Sequence, residues 1–329
     1  MTSSRGSFKW VPIAGTLMED YQSRWINGEE IAGVRECADR YEIIRKYAER
    51  FDRPFTVLDI GANYGYFSIR LMEDFDCVSV MGECVPQYFE ELTRLVDANG
   101  CDKGIVFKHR FSQHSLRQLA EVEHFDLVLA MSIVHHIEGD VNETIRLIRN
   151  LGDHAIIEVA NENNACGQEQ VKTTAIGDDW QHLGTGKSHL ASSVRDIYAM
   201  QQTRTRFDRR YIGCPEGLVA GHRLDSNDNS KTISFDHKPE SRDWIPGINL
   251  VTFKHYGGIY PTNDRLEETL ILMDPPKLPH GDIRPWNLII SGHDLHLIDA
   301  ADPNHTQITD DARSIDGVID WLSSGRWSA

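Results

Sequence analysis

The chain has 329 residues, enough for two domains, and its 40% hydrophobic and 26% charged residues suit a sizeable core and exclude global disorder. Its net charge of −16, with no run of Lys or Arg, would repel a nucleic-acid backbone, so no nucleic-acid partner is expected. The six cysteines (37, 77, 84, 101, 166 and 214) are scattered without a CxxC pair, which reads as free thiols rather than a zinc site or disulfide framework.

The opening MTSSRGSFKW lacks the apolar centre of a secretory signal, and no stretch approaches membrane-spanning length. A cytoplasmic protein with no membrane insertion is therefore expected. Residues 1–52 read as a lid followed by a cover helix. Trp10, Tyr21 and Trp25 suit either a lid over a ligand or core anchors. From Ile31 to Phe51, apolar groups recur at helical spacing: Val34, Ala38, Tyr41, Ile44 and Tyr47.

Strands and helices then alternate. FTVLDIG (55–61), CVSVMGE (77–83), IVFKHR (105–110), FDLVLAM (125–131) and HAIIEVA (154–160) read as strands. YGYFSIRLMEDF, the segment from Pro86 to Asn99, and stretches near 113–122 and 140–150 read as the helices between them. This order predicts an α/β domain with a mostly parallel, doubly wound, Rossmann-like sheet over residues 53–213. Residues 188–202 are predicted helical. Segments near 206–213 and 231–236 suit closing strands.

The first strand ends at Asp59 and runs into Gly61-Ala62-Asn63-Tyr64-Gly65. A glycine-rich turn before a helix lets a ligand approach the backbone and meet unpaired N–H groups. A dinucleotide fingerprint would have glycine at position 63, where a pyrophosphate comes close; asparagine there suits a ligand without one. Asp59 beside the turn would oppose a phosphate and favour an ammonium or sulfonium group. Glu83 ends the second strand, where a carboxylate can take ribose hydroxyls.

This pattern, D-x-G-x-x-x-G with an acidic end to the next strand, resembles that of class I S-adenosylmethionine (SAM) methyltransferases, over roughly residues 40–160. The resemblance implies that Asp59 orients the methionine amino group, that Gly61, Asn63 and Gly65 form the close approach, and that Glu83 holds the ribose. Met131, at the end of the fourth strand, joins the same cofactor-binding set. Ser132 to Ile137 would lie at the rim on the acceptor side. There His135 or His136 could act as general base for a hydroxyl acceptor, or one of them could simply pack. A phosphate or carboxylate acceptor would instead need Arg or Lys.

LGTGKSHLASS (183–193) evokes a nucleotide-binding P-loop, but position 181 is Gln where that pattern requires Gly. Gly184 and Gly186 read as a loop, with Ser188 capping the helix after it and Lys187 and His189 available to an acceptor.

Residues 214–329 close with a different motif. HGDIRPWN (280–287) and the following HLIDAAD resemble the catalytic segment of aminoglycoside, choline and sugar kinases, through His280, Gly281, Asp282, Asn287 and Asp299. That resemblance implies Asp282 as the catalytic carboxylate, and Asn287 and Asp299 as metal ligands for Mg and ATP. LIISG and LHLID read as a hairpin, and 310–322 as a closing helix. No glycine-rich phosphate loop precedes position 280, and Lys231, Lys238 and Lys254 lack a convincing strand.

A small, truncated kinase-like α+β appendage is thus expected, serving phosphoryl transfer, packing, acceptor binding or contact in a homodimer. The layout resembles, in abbreviated form, the bifunctional methyltransferase–kinase proteins that cap bacterial O-antigen chains. It implies a saccharide or phosphosugar acceptor, within the broader class of small-molecule acceptors. A third possibility from the residues is a non-catalytic module that binds a nucleotide-like ligand.

Overall fold

The computed structural model describes residues 21–160, 179–187, 194–202, 246–259, 282–291, 294–297 and 310–324. Its centre is an eight-stranded sheet. The strands β3 (Phe55–Ile60), β4 (Cys77–Glu83), β5 (Gly104–Lys108), β6 (Phe125–Met131) and β7 (Gly152–Ala160) are parallel, and β3 lies between β4 and β6. The chain first steps outward through β4 and β5, then returns across β3 to β6 and β7. That reversal opens a crevice at the carboxyl ends of β3 and β6, the ligand position in doubly wound sheets. β3, β4 and β6 are buried at every residue, as strands covered on both faces must be.

Helices α1 (Ala38–Ala48), α2 (Tyr66–Asp74), α3 (Pro86–Ala98), α4 (Gln113–Val122) and α5 (Val141–Asn150) flank the sheet. Local signals place their starts. Pro86 begins α3, Ser112 and Ser115 cap α4 reciprocally, and Asp140 accepts from the Glu143 N–H at α5.

Three predicted elements differ from those observed. The cover helix begins only at Ala38. Before it, β1 (Arg24–Ile26) and β2 (Glu29–Ile31) make a hairpin, which leaves Ile31 and Val34 exposed. Gly33 explains the break: a side chain there would lie 2.3 Å from the Gln22 carbonyl carbon, so the chain doubles back too closely for a helix.

The predicted helix over 188–202 is also replaced at its described residues, because β9 (Val194–Gln201) pairs antiparallel with β7 along its length. Tertiary pairing here overrides local spacing. The predicted loop at Gly184 and Gly186 belongs to β8 (Gln181–Lys187), an antiparallel partner of β9 with an irregularity between His182 and Gly184. Gly186 is needed for packing, since an added Cβ would lie 2.6 Å from the Arg40 side chain. Trp10, Ser188, His189, Lys231, Lys238 and the segments 206–213 and 231–236 lie outside the described residues.

The C-terminal elements are not a bead on a string. β10 (Ile248–Asn249), β12 (Leu288–Ser291) and β13 (Asp294–Leu297) form a small antiparallel sheet. The expected hairpin is its second and third strands. α6 (Leu250–His255) leads into β11 (Gly258–Ile259), which joins the main sheet antiparallel to β5. A closing helix, α7 (Asp311–Ser324), follows.

One apolar cluster runs from Leu58, Val80 and Phe107 through Leu250 and Phe253 to Trp286, Ile315 and Trp321. At its centre the buried Glu123 accepts from the Asn249 N–H at 3.0 Å and from the Thr252 hydroxyl at 2.6 Å. No helix among the described residues is long and apolar enough to cross a membrane.

Candidate functional site

β3 ends in a turn that its sequence forces into left-handed geometry. Gly61, Asn63 and Gly65 have φ of 74°, 55° and 72°. A Cβ on Gly61 would lie 2.7 Å from Ile133, and one on Gly65 would lie 2.4 Å from Leu92. The turn is fastened to β4 by the Gly61 and Ala62 N–H groups, both donating to the Gly82 carbonyl. The positions predicted as the close approach are therefore brought together in one left-handed turn packed on Ile133 and Leu92.

Two carboxylates flank this turn. Asp59 is 1% exposed and accepts from the Ser68 hydroxyl at 2.8 Å. No described Lys or Arg pairs with it. Burial pushes its carboxyl up to about 7, the Ser68 hydroxyl opposes this, and the nearby Glu83 adds to it. Glu83 is also buried and accepts from the N–H groups of Asn63, Cys84 and Val85, at 2.9, 2.7 and 2.7 Å. Burial nevertheless holds its carboxyl above the ordinary range, against the pull of those donors. A carboxylate has about four acceptor positions, so Glu83 keeps roughly one for a ligand hydroxyl.

The other rim follows β6. Met131 sits in the apolar cluster of Val57, Tyr66, Phe67 and Ile156. Ser132 then has a φ of 61°, unusual for a residue with a side chain. A short 3-10 turn, Val134–His136, carries both candidate histidines. Their ring centroids are 4.0 Å apart; His135 is half-buried and His136 exposed.

Beneath Ser132 lies a set of charges absent from the sequence reading. Glu158, fully buried near the end of β7, accepts from Arg35 at 2.8 Å, Arg40 at 3.2 Å and the Ser132 hydroxyl at 2.7 Å, all at one oxygen. Arg35 also donates to the Ser132 hydroxyl at 2.6 Å. Burial alone would raise the Glu158 carboxyl, but Arg35, Arg40, Ser132 and the buried Arg195 together bring it below the ordinary range. A glutamate inside the otherwise apolar strand IIEVA was the available signal, since a buried charge requires partners. The partners themselves lie far away in the chain.

The aromatic Trp25 divides differently from a lid. Its indole donates to Glu73 at 2.8 Å and its ring meets Tyr66 edge-on at 6.1 Å, so it anchors the β1–β2 hairpin on α2.

The kinase-like segment keeps part of its geometry. Asn287 is buried in a 3-10 turn, and its amide donates to the Asp282 backbone carbonyl at 2.8 Å and to the Asp282 carboxylate at 3.0 Å. The other Asp282 oxygen pairs with Arg284 at 2.5 Å. The Asn287 side-chain oxygen has no hydrogen-bond partner among the described residues. Lys254 donates to the Leu322 carbonyl and lies over the Trp321 ring, which makes it a fastener of α7 rather than a phosphate ligand in this state. His280, Gly281 and Asp299 lie outside the described residues.

A doubly wound sheet, an antiparallel pair at its far edge, and a left-handed glycine turn between two acidic strand ends together define a Rossmann-like fold of the class I methyltransferase type. No protein-family model matches the sequence. Among curated proteins, the chain is similar to the O-antigen chain terminator bifunctional methyltransferase/kinase WbdD of Escherichia coli, 23% identical over 225 residues. That alignment covers 66% of this chain and 30% of the relative, so the chain spans under a third of the curated relatives it matches.

Among solved structures, WbdD overlays with a TM-score of 0.46 at 16% identity, covering 93% of this chain and 85% of that one. The N-terminal domain of EvdMO1, crystallised in the presence of SAH and D-fucose, overlays with a TM-score of 0.40 at 13% identity, covering 54% and 91%.

Proposed function

We propose that this chain is a SAM-dependent methyltransferase that acts on a saccharide, phosphosugar or other small-molecule acceptor. One observation carries the reading: the left-handed glycine turn at the end of β3 is flanked by two buried carboxylates, and no described Lys or Arg pairs with Asp59. Such a site fits a cationic nucleoside-bearing ligand and repels a pyrophosphate.

The bound donor would supply an activated methyl group on a positive sulfur. The protein's work is then mostly alignment of acceptor and donor. Asp59, once ionised, would take the ammonium group, and the remaining acceptor position of Glu83 would take a ribose hydroxyl. Gly61 and Gly65 let the turn take its left-handed shape while packing against Ile133 and Leu92. On the opposite rim, His135 or His136 would accept the proton of a hydroxyl acceptor. An anionic acceptor would need no base, and the arginine-rich cluster around Ser132 would favour it electrostatically.

Calorimetry tests the donor. SAM should bind in the micromolar range, and Glu83→Ala should weaken binding at least tenfold; failure of the intact protein to bind SAM ends this reading. Labelled SAM, incubated with fractionated saccharides and cell metabolites, identifies the acceptor and separates an enzyme from a non-catalytic binding module.

A second reading, Mg- and ATP-dependent phosphoryl transfer by HGDIRPWN, is favoured by the contact of Asn287 with Asp282 and by an Asn287 oxygen that has no partner among the described residues. If it holds, magnesium-dependent ATP consumption disappears in Asp282→Ala. The Arg284 contact with Asp282 would have to open first.

A further inference from the structure

The segment 21–37 leaves the main body as a strap and returns to it. Its neck is stitched by the Arg35 N–H donating to the Tyr21 carbonyl at 2.8 Å and the Ser23 N–H donating to the Arg35 carbonyl at 3.2 Å. Gly33 makes this neck tight, because any Cβ there would overlap the Gln22 backbone. The far end is held on α2 and α3: Asn27 donates its N–H to the Asn99 side chain at 2.8 Å, and Trp25 and Arg24 reach Glu73 and Glu91.

The two sides of the neck touch different rims of the crevice. On one side the Gln22 side-chain oxygen accepts from the Tyr64 N–H, at 3.4 Å, inside the glycine turn. On the other, Arg35 grips Ser132 and Glu158. The rims also meet directly, where Ile133 fills the space left by the missing Gly61 side chain. Ser132 holds a left-handed backbone that costs energy for any residue with a Cβ, and its hydroxyl is fixed by Arg35 and Glu158 together. Releasing Arg35 therefore removes part of what keeps the Ser132–His136 turn in place.

We propose that Arg35 is a positioning residue that couples the donor turn to the acceptor-side turn. Ligand in the crevice orders residues 61–65 and, through Ile133 and the strap neck, orders 132–136 as well. Arg35 is the link that transmits this order to Ser132. This inference rests on the crevice being a donor site.

Hydrogen–deuterium exchange on the full chain, with and without S-adenosylhomocysteine, tests it. In the unmodified protein the ligand should slow exchange at 61–66, 21–37 and 131–137. In Arg35→Gln, protection at 61–66 should persist while the ligand-induced protection at 131–137 is lost. Arg35→Lys should restore part of it. Should Arg35→Gln fail to fold, Ser132→Gly serves instead. It keeps a residue at ease with positive φ and removes the hydroxymethyl group that Arg35 and Glu158 hold, and it should likewise lose the response at 131–137.

Equal ligand-induced protection of 131–137 in the variant and the parent overturns the coupling. Absence of any ligand-induced change in the parent, with no binding by calorimetry, overturns the donor reading instead. Binding that protects 61–66 in the parent but never 131–137 overturns the coupling alone.

Discussion

The two rims of the crevice are built in opposite ways. The donor rim is local: Asp59, Gly61, Asn63 and Gly65 lie within one strand-turn-helix, and Glu83 ends the strand paired beside it. It carries two buried carboxylates, and no described Lys or Arg pairs with Asp59. The acceptor rim draws Arg35 and Arg40 from the N-terminal region, Ser132 from the β6 turn, Glu158 from β7 and Arg195 from β9. Three buried guanidinium groups there surround one carboxylate. The first side could be written as a motif; the second is a buried charge cluster whose members are scattered along the chain.

Removing the single anion of the basic rim should have the largest effect. Glu158→Ala leaves Arg35, Arg40 and Arg195 buried without their shared counter-charge, and such a loss costs about 3–5 kcal/mol. Urea denaturation should show it as a large drop in midpoint; a loss below about 1 kcal/mol would mean that the cluster is solvated and the rims are less different than drawn. The pH dependence has a defined sign. The folded Glu158 carboxyl is lowered, so its stabilisation is present above its unfolded value of about 4.3 and is lost as pH falls through the folded value.

A smaller effect belongs to the donor rim. Gly65→Ala must place a Cβ at φ 72°, and against Leu92, which should destabilise by about 1–2 kcal/mol. It should also weaken S-adenosylhomocysteine binding, because the turn must shift to make room. Unchanged binding with lowered stability would show that the turn tolerates movement and is not the rigid cradle described above.

The gentlest test is titration of the donor rim. With the Asp59 carboxyl raised to about 7, a cationic ligand must draw off its proton at lower pH. SAM affinity should therefore rise as pH increases toward 7, by up to about tenfold per unit, and level off above it. Without ligand the same raised value works the other way: its contribution to stability falls as pH climbs from about 4 to 7. Asp59→Asn should flatten the binding profile, and a profile that stays steep in that variant would place the titration elsewhere.

Much of the fold was legible because its signals are short-range. The five parallel strands read as apolar runs, and their helices carry Pro86, Ser112 and Asp140 at their starts. The HGDIRPWN hairpin was legible for the same reason. Residues 194–201 misled because their apolar spacing suits a helix, and only the edge of β7 makes them a strand. GTGK resembled a phosphate loop, yet Gly186 is small to admit the buried Arg40.

The sequence by itself determined the succession of parallel strands and helices, the glycine turn and the acidic strand ends, since hydrophobic period and turn chemistry act over a few neighbouring residues. Only the tertiary structure decided that the N-terminal strap closes on the acceptor rim, that β11 joins the main sheet beside β5, and that Glu158 is the centre of a charge cluster. Those features depend on groups some hundred residues apart meeting in a space without water, where a buried charge must find its partner wherever the fold brings one.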